Sequence, residues 1–389
     1  MLTASAAPRH FRSLLTTSAR AFPLRSTHLA APSARICPAF TLPRMASTSS
    51  VPSSMKAILI KDGKGPSENL YLSDHDVPQP GADEVLVKVK AFGLNRMDSM
   101  QRQGKYPLPP SAPKDIMGVE FSGLVATSNS SKFKEGEEVF GLVTGGAYAE
   151  YVKGPANMLL HKPKTLSHEQ AAAIPEVWLT AFQALRVITN IQKGEDVLIH
   201  AGASGVGLAA IQLAKRFGAR GIYVTAGSEE KIAACKKMGA TEGFNYKAGS
   251  WAEGLEKATG GEGVDVVVDF IGAPYLEDNV KSLKKDGRLV FLAFMGGAIQ
   301  QNFNLAQLLF KRLRLEGTTL RSRSLEYQSD LVQGFLETGM LEEIAREEND
   351  KDGPHPIIIH DVLPWDKIKE AHDMMEANKN TGKIVMVIP

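Results

Sequence analysis

Apolar residues follow two different patterns along the chain after the first 54 residues. Between residues 55 and 175, short apolar or alternating runs are separated by Gly and Pro. The clearest run is Glu84–Ala91, EVLVKVKA, which places Val85, Val87 and Val89 on one face. Alternation of period two is typical of a half-buried strand, and several such strands between Gly/Pro turns indicate antiparallel pairing. The sequence therefore predicts a β-rich domain over residues 55–175.

From residue 176 onward, short apolar strands alternate with amphipathic helices. The predicted strands are 196–200, 221–225, 243–246, 264–269 and 288–293. Strands that alternate with helices of about 10–15 residues are typical of a doubly wound parallel sheet. Helices near 324–338 and 365–377 and a strand at 383–388 end the chain. The predicted fold class is α/β, with a Rossmann sheet over 176–318 inserted in a β-rich lobe formed by 55–175 and 319–389.

The first 54 residues differ from the rest in composition. They contain six Arg but no Lys, Asp or Glu, and they are rich in Ser, Thr, Ala and Pro. An acid-free N-terminus rich in Arg and Ser is typical of an organelle transit peptide. We therefore expect residues 1–54 to be a disordered mitochondrial presequence. The alternatives are a basic tail, or an extension bypassed by translation from Met45 or Met55, which would leave the protein in the cytoplasm.

Charge and cysteine content exclude several classes of protein. The net charge of +2 combines 45 Lys+Arg with 43 Asp+Glu. Setting aside the six N-terminal arginines leaves 39 basic residues and a net charge of −4 on the remainder, which disfavours a large nucleic-acid footprint. Two cysteines exclude a disulfide scaffold and a Cys-rich zinc lobe. The sequence has no run of about 18 apolar residues, so no membrane span is predicted.

A glycine-rich loop follows the first strand of the Rossmann region and opens a helix. It reads His200-Ala201-Gly202-Ala203-Ser204-Gly205-Val206-Gly207. In such a loop Gly202 permits the tight turn, Gly205 permits close approach of a pyrophosphate, and Gly207 lets helix and strand pack closely. Free N–H groups at the helix start attract phosphate. The loop predicts a dinucleotide site, and the alternative is a Gly-rich turn without a ligand.

The end of the second Rossmann strand indicates which dinucleotide is bound. NAD sites usually place Asp or Glu there, whereas Tyr223–Ser228 contains no acid before Glu229. Ser228, Lys231 and, after the third strand, Tyr246 are candidates for binding the 2′-phosphate of NADPH. A carboxylate would repel that phosphate. The sequence predicts NADPH rather than NADH, although Lys231 is also compatible with a solvated helix surface.

Several longer segments carry a family resemblance. They are Asn95–Asp98 with Met100–Tyr106, Ala172–Glu176 with Trp178–Phe182, Leu198–Gly207, Gly243–Tyr246, Leu320–Arg323 and Met375–Lys379. Between Met55 and Pro389 the chain resembles the zinc-independent quinone oxidoreductases of the medium-chain dehydrogenase/reductase superfamily, most closely their tumour-suppressor-inducible branch. The resemblance implies a GroES-like catalytic domain, a homodimer, and hydride transfer from NADPH to a small quinone.

The same resemblance implies residues for the reaction site. Asn95 and Tyr106 would lie near the nicotinamide, where an amide and a phenol can donate hydrogen bonds to a carbonyl oxygen. Ser204 would contact the nicotinamide or narrow the pocket. The turn Phe294-Met295-Gly296 would pass the nicotinamide with backbone amides free to bind it, and Lys383 would neighbour a phosphate. Judged without the resemblance, Tyr106 is a packed loop residue, Asn95 a turn residue and Lys383 a solvated strand residue.

The positions that hold zinc in related alcohol dehydrogenases carry other residues here. Those enzymes place a Cys in the segment matching Gly93–Asp98 and a His before the Glu that matches Glu120. The corresponding segments read GLNRMD and Gly118-Val119-Glu120, without thiolate or imidazole. We therefore expect no metal and treat Cys235 as a packing residue.

Two other functions stay open. Related members of the superfamily use a tyrosine and NADPH to reduce activated C=C bonds, so the chain is also compatible with an enoyl-thioester or enone reductase. A third function, of another class, is an NADPH-dependent RNA-binding or structural protein. Its support is the basic run Lys311-Arg312-Leu313-Arg314 with Arg321 and Arg323, which is equally compatible with a charged edge strand that resists aggregation.

Overall fold

The computed structural model describes residues 51–346 and 355–389. The expected transit peptide lies, as far as Ser50, outside the described residues. Within the described ranges the chain forms two large β-sheets and a two-stranded ribbon. None of the helices in these ranges is long and apolar enough to cross a membrane.

The strands are numbered in chain order. They are β1 Ser54–Ile60, β2 Leu70–Asp76, β3 Glu84–Gly93, β4 Glu120–Ser128, β5 Glu138–Leu142, β6 Tyr151–Pro155, β7 Leu159–His161, β8 Asp196–Ile199, β9 Gly221–Ala226, β10 Glu242–Asn245, β11 Val264–Asp269, β12 Leu283–Phe291, β13 Arg314–Gly317, β14 Ile359–Pro364 and β15 Lys383–Val387.

The α-helices are numbered in the same way, and a π-helical turn at Gln183–Ile188 extends the third. They are α1 Arg96–Arg102, α2 His168–Ala172, α3 Pro175–Phe182, α4 Gly205–Arg216, α5 Glu229–Met238, α6 Trp251–Ala258, α7 Leu276–Ser282, α8 Ala306–Lys311, α9 Leu325–Glu337, α10 Met340–Ile344 and α11 Ile368–Glu376.

Six parallel strands form the Rossmann sheet in the order β10-β9-β8-β11-β12-β13. Helices connect most of them, and the central strands are apolar because both faces of such a sheet are covered. The predicted α/β class and doubly wound sheet are confirmed. Strand β12 begins at Leu283, ahead of the predicted residue 288, because Leu283 pairs with Val264 before a shift in register.

The second sheet is mainly antiparallel and has the order β14-β15-β3-β4-β5-β7, with β6 also paired to β3. Val85, Val87 and Val89 are buried as the alternation predicts, and Leu86 is buried as well. The last strand, β15, pairs with β3, so that Val385 lies opposite Gly93. The C-terminal segment therefore completes a sheet that the N-terminal half of the described chain began.

A shared hydrophobic core joins the two sheets. Helix α3 packs against α4 and α9, and the ring of Phe335 lies 6.1 Å from that of Trp178 and 6.2 Å from that of Phe182, measured between centroids. At the same junction the Gly382 amide donates a hydrogen bond of 2.8 Å to the carbonyl of Ala203. The start of β15 is thereby held against the glycine-rich loop.

Candidate active site

The glycine-rich loop lies at the carboxyl edge of the Rossmann sheet, between β8 and α4. Ser204 is the N-cap of α4, and its Oγ accepts a hydrogen bond of 3.0 Å from the Gly207 amide. A Cβ at Gly207 would lie 2.5 Å from the Gly202 carbonyl oxygen, so no larger residue fits there. The start of α4 therefore faces the edge at which open α/β sheets bind dinucleotides. The Ser204 hydroxyl keeps one hydrogen that it can donate to a ligand.

Close packing within the protein explains why Gly202 and Gly205 are also glycines. A Cβ at Gly202 would lie 2.7 Å from the Val224 side chain and 3.3 Å from Sγ of Cys235. A Cβ at Gly205 would lie 2.9 Å from Cδ of Lys383. Cys235 is buried beneath the loop, and burial raises the pKa of its thiol to about 12, as suits a packing residue. Val206, between the glycines, is half-buried.

Lys383 points from the glycine-rich loop into the protein interior. Its ammonium donates hydrogen bonds to the Leu94 carbonyl at 2.7 Å, to Oδ1 of Asn95 at 2.8 Å and to Oε1 of Glu120 at 2.5 Å. An ammonium group has three hydrogens to donate, and all three are used on protein oxygens. The prediction that Lys383 neighbours a phosphate is therefore wrong, because its charge is neutralised by a buried carboxylate.

Asn95, predicted to present its amide to a substrate, is tied into the same buried group. Its Nδ2 donates to Oε1 of Glu120 at 2.9 Å, and its Oδ1 accepts from Lys383. Its backbone amide donates to Oδ2 of Asp98 at 2.9 Å, which fixes the start of α1. The side chain thus positions the Lys383–Glu120 pair, and this use of the amide corrects the expectation of a free group.

Two glutamates that the sequence analysis did not assign to the site meet at the start of α3. Oε2 of the fully buried Glu120 accepts the backbone amide of Glu176 at 2.8 Å. The Glu176 carboxyl is half-buried, and its closest hydrogen-bond partner is the Thr180 hydroxyl at 3.5 Å. Burial, followed by the charge of Glu120, raises the pKa of Glu176 to about 7. The signals in the sequence are that Glu176 ends the family-like segment Ala172–Glu176 and that Glu120 matches a Glu of the related alcohol dehydrogenases.

Tyr106 is half-buried near these acids, under a buried arginine. The guanidinium carbon of Arg321 lies 5.6 Å from the centroid of the Tyr106 ring, within the range of a cation–π interaction. Arg321 is held by the Thr144 carbonyl, 2.8 Å from Nε, and by Oε1 of Gln101, 2.7 Å from Nη1. Burial and the neighbouring Glu176 raise the pKa of Tyr106. Its phenol therefore stays protonated and can donate a hydrogen bond.

The residues predicted to recognise a 2′-phosphate come together at the end of β9. Ser228 caps α5 by accepting the Lys231 amide at 3.4 Å. A Cβ at Gly227 would lie 2.7 Å from the Tyr246 hydroxyl oxygen, which places that phenol beside the same turn. The Lys231 ammonium donates to the Asn378 carbonyl at 2.8 Å. This region can hold an anion next to a ribose.

Two further cations that sequence reasoning missed lie beside Lys231. Burial lowers the pKa of Lys231, and the charges of Lys247 and Arg96 lower it further. Arg96 also donates to Oδ1 of Asn378, at 2.5 Å. Three mutually repelling cations in one place are stabilised by an anion, so these residues fit a phosphate. Arg96 belongs to α1 and Lys247 follows β10, so only the fold brings them together.

Two amides of the turn at Phe294–Gly296 are not free. The Met295 amide donates to the Phe270 carbonyl and the Gly296 amide to the Ile271 carbonyl, each at 2.9 Å. The prediction that these two amides bind the nicotinamide is therefore wrong, because the turn folds back on the end of β11. What the turn presents instead is the half-exposed side chains of Phe294 and Met295.

Most of the cations in the basic run offered in support of RNA binding are already bonded to groups of the protein itself. The Lys311 ammonium donates to the carbonyls of Val280, Lys281 and Leu283. Arg312 forms a bidentate pair with Asp286, and Arg321 is buried. Arg314 is exposed at the start of the edge strand β13. The run is thus mainly structural.

No group of three or more His, Cys, Asp or Glu side chains within residues 51–346 and 355–389 is arranged to hold a metal ion. The acid nearest the loop, Glu120, is bound to an ammonium and an amide instead. These residues do not fit a zinc ion, whose protein sites use thiolate, imidazole and free carboxylate ligands.

Comparison with known proteins agrees with this architecture. Residues 81–164 match the alcohol dehydrogenase GroES-like domain family, and residues 205–336 match the family described as zinc-binding dehydrogenase. The quinone oxidoreductase of Homo sapiens is 30% identical over 344 residues, which cover 86% of this chain and 98% of that protein.

Solved structures show the same relationship. The Escherichia coli quinone oxidoreductase complexed with NADPH superposes with a TM-score of 0.72 at 28% identity, covering 86% of this chain and 100% of that chain. The CurK enoyl reductase superposes with a TM-score of 0.70 at 28% identity, covering 86% and 99%. The GroES-like domain, the parallel Rossmann sheet and the near-complete coverage of these relatives lead to one conclusion: this chain is an oxidoreductase that belongs to the quinone oxidoreductase family of the medium-chain dehydrogenases/reductases.

Proposed function

We propose that this protein is an NADPH-dependent quinone reductase that moves hydride from C4 of the nicotinamide to a small quinone without a metal ion. The observation that carries the proposal is the position of Lys383. Its stem packs under Gly205 of the loop, and its ammonium ends at Glu120, which in turn binds the start of the helix that carries Glu176. The glycine-rich loop is thus in contact with the buried group that binds the start of α3, and Tyr106 lies close enough to Glu176 for that carboxyl to influence the phenol.

The cofactor assignment is supported by the distribution of charge along the site. The start of α4 provides amides for the pyrophosphate, and Lys231, Lys247 and Arg96 provide positive charge for a 2′-phosphate. No carboxylate precedes Glu229 at the end of β9, so the feature that usually selects NADH is missing. When bound, NADPH would supply the hydride.

The chain's own residues supply alignment and charge stabilisation. The protonated Tyr106 phenol donates a hydrogen bond to a quinone carbonyl, where negative charge develops as hydride arrives. The buried Arg321 holds the ring of Tyr106 and adds positive charge near it. The buried ammonium of Lys383 forms an ion pair with Glu120, so the charge of this carboxylate is balanced without a metal ion.

The experiment is an assay of purified protein treated with a chelator. We expect NADPH to be oxidised by a panel of ortho- and para-quinones at the same rate before and after chelation. A rate restored only by added zinc would contradict the metal-free part of the proposal. Absence of NADPH oxidation with every quinone would contradict the activity itself.

Reduction of an enone or enoyl thioester is the second candidate. Tyr106 favours it, because a phenol held protonated beside the cofactor site is a suitable proton donor to a carbanion, and an enoyl reductase is among the structures that superpose on this chain. Parallel assays with trans-2-enoyl-CoA and with quinones at equal concentration separate the two. A larger kcat/KM for the thioester would make it the primary function.

The surface beside β13 supports a homodimer. Strand β13 is the edge of the Rossmann sheet, and the neighbouring segment exposes Ile299, Leu305, Leu309 and Phe310. An unpaired edge flanked by exposed apolar side chains is suited to pairing with a second copy. Light scattering should give twice the monomer mass, and Phe310→Asp should reduce it to the monomer.

We also propose mitochondrial import directed by residues 1–54, based on their acid-free, Arg-rich composition. A fluorescent protein fused after residue 54 should enter mitochondria, whereas a fusion in which all six arginines are changed to Gln should stay in the cytoplasm. Cytoplasmic fluorescence of both fusions would contradict the proposal.

A further inference from the structure

The active site contains three acids, and they are held in different ways. Glu120 is fully buried and accepts hydrogen bonds from an ammonium and two N–H groups, those of Lys383, Asn95 and Glu176. Both of its oxygens are thus occupied by donors that belong to the protein. Removing this carboxylate would leave Lys383 unpaired in the interior. Glu120 therefore has a structural role.

The second acid, Asp98, is equally enclosed. Its Oδ2 accepts the Asn95 amide at 2.9 Å and the Tyr148 hydroxyl at 3.1 Å, and no part of the residue is exposed. Burial raises the pKa of Asp98 to about 6, while the charges of Arg321 and Lys383 oppose that rise. A group without access to solvent or to a ligand cannot exchange protons during turnover. Asp98 stabilises the start of α1.

Glu176 is the acid that remains. The residue is partly exposed, unlike Glu120 and Asp98, and the Thr180 hydroxyl at 3.5 Å is a weak partner. Burial and the negative charges of Glu120 and Asp98 disfavour the ionised form of Glu176. The positive charges of Lys383 and Arg321 favour it. Glu120 and Glu176 thus lie in different environments, one with three hydrogen-bond donors on its carboxylate and the other with one weak partner. A difference in environment is what separates the acid and base roles of paired carboxylates.

Tyr106 is a poor proton source for the oxygen of a reduced quinone, because that oxygen is itself a phenolate and is less basic than the carbanion formed from an enone. Burial and the charge of Glu176 both oppose loss of the Tyr106 proton, and the nearby Arg321 offsets them only in part. In quinone reduction Tyr106 can therefore donate a hydrogen bond, but another group must supply the proton.

We propose that Glu176 is the general acid of this site and protonates the oxygen that becomes anionic when the substrate is reduced. The proposal rests on the quinone reductase function above. Hydride transfer breaks the nicotinamide C4–H bond, oxidises the cofactor and leaves the quinone as a hydroquinone monoanion. The O–H bond of Glu176 then breaks, and its proton joins that oxygen to give the hydroquinone. The half-exposed carboxylate regains a proton from water, so each turnover consumes one quinone, one NADPH and one proton.

The test compares wild type with Glu176→Gln, Glu176→Asp and the control Glu253→Gln, which alters an exposed acid in the first turn of α6. Steady-state kcat is measured with 1,4-naphthoquinone and NADPH between pH 5.5 and 9, in H2O and in D2O. Wild type and the control should lose kcat as pH rises above about 7. Glu176→Gln should lower kcat at pH 6 roughly a hundredfold, with no pH dependence between pH 6 and 8 and no solvent isotope effect. Glu176→Asp should recover part of the rate and keep an inflection.

The outcomes separate this inference from the proposed function. If wild type reduces quinones and Glu176→Gln keeps the pH profile and isotope effect of wild type, Glu176 is not the general acid and the function stands. If Glu176→Gln lowers kcat equally at every pH with the wild-type profile intact, its role is structural, and the inference again fails. If wild type reduces no quinone, the function fails and the inference falls with it. NADPH binding, followed by nicotinamide fluorescence, should be the same in all four proteins.

Discussion

The ammonium nitrogen of Lys383 lies 2.5 Å from Oε1 of Glu120, and both residues are almost completely buried. This pair joins the C-terminal strand β15 to β4 and passes directly under the glycine-rich loop. It supplies an internal cation in the part of the site where the superfamily's alcohol dehydrogenases use zinc ligands.

Replacing one member of the Lys383–Glu120 pair should lower the free energy of unfolding. Lys383→Met leaves Glu120 as an unpaired buried carboxylate, and we expect a loss of about 3–5 kcal/mol in the free energy of unfolding. Urea denaturation followed by circular dichroism measures it. The double variant Lys383→Met/Glu120→Gln should recover much of the loss, because no charge is left buried. The control Lys367→Met breaks an exposed pair with Glu370 and should cost less than about 1 kcal/mol; equal losses in the two lysine variants would contradict the role given to Lys383.

Lys231 should determine the choice of cofactor. If Lys231 binds the 2′-phosphate as proposed, Lys231→Ala removes that charged hydrogen bond, and the KM for NADPH should rise roughly tenfold to a hundredfold. The KM for NADH should change less than about twofold, because NADH lacks that group. Lys236→Ala, on the same helix but paired with Glu242, is the matched control and should leave both values unchanged. An equal rise for both cofactors would show that Lys231 acts on the shape of the site rather than on the phosphate.

Tyr106→Phe should distinguish the two candidate reactions. A hydrogen bond from the phenol to a quinone carbonyl contributes about 1 kcal/mol, so kcat/KM for quinones should fall about fivefold. If an enone is reduced with Tyr106 as its proton donor, that activity should fall at least a hundredfold. Tyr71→Phe, at an exposed position of β2, serves as the control. A hundredfold loss with quinones would contradict the assignment of Tyr106 as a hydrogen-bond donor only.

Stability should depend on pH through His200. This residue is fully buried between the Thr225 hydroxyl at 3.0 Å and Oδ1 of Asn279 at 2.7 Å, and burial lowers its pKa to about 4. Between pH 6.5 and 4 the unfolded chain binds a proton at this residue that the folded chain does not, so the free energy of unfolding falls as pH falls through that window. His200→Gln removes this proton uptake. Its unfolding free energy, from urea titrations at pH 4.5 and 7, should fall less than that of wild type, and an equal or larger fall would contradict a neutral buried His200.

Local patterns were enough to predict the dinucleotide loop and the sheet around it. The strands β8, β9 and β11 begin and end within about one residue of the predicted bounds, because hydrophobic period and Gly turns are properties of neighbouring residues. The set Ser228, Lys231 and Tyr246 was also predictable, since each follows a strand at the same edge of one sheet.

Lys383 shows why the site itself was not predictable in the same way. Its neighbours in sequence indicate only a charged residue at the start of a strand, whereas its partner Glu120 is 263 positions away. For the same reason the sequence did not reveal that the Met295 and Gly296 amides are already bonded within the protein. Their acceptors, on Phe270 and Ile271, belong to another loop that packs beneath the turn.

The amino-acid sequence was sufficient for the α/β class, the glycine-rich loop between β8 and α4 and the family, all of which depend on short-range spacing. The tertiary structure decided which acids are charged and which cations are free. It buries Lys383 against Glu120, leaves Glu176 with a weak partner, and gathers Arg96 and Lys247 around Lys231. Electrostatic roles of this kind depend on burial and on distances between groups far apart in the chain, and only the folded chain establishes either.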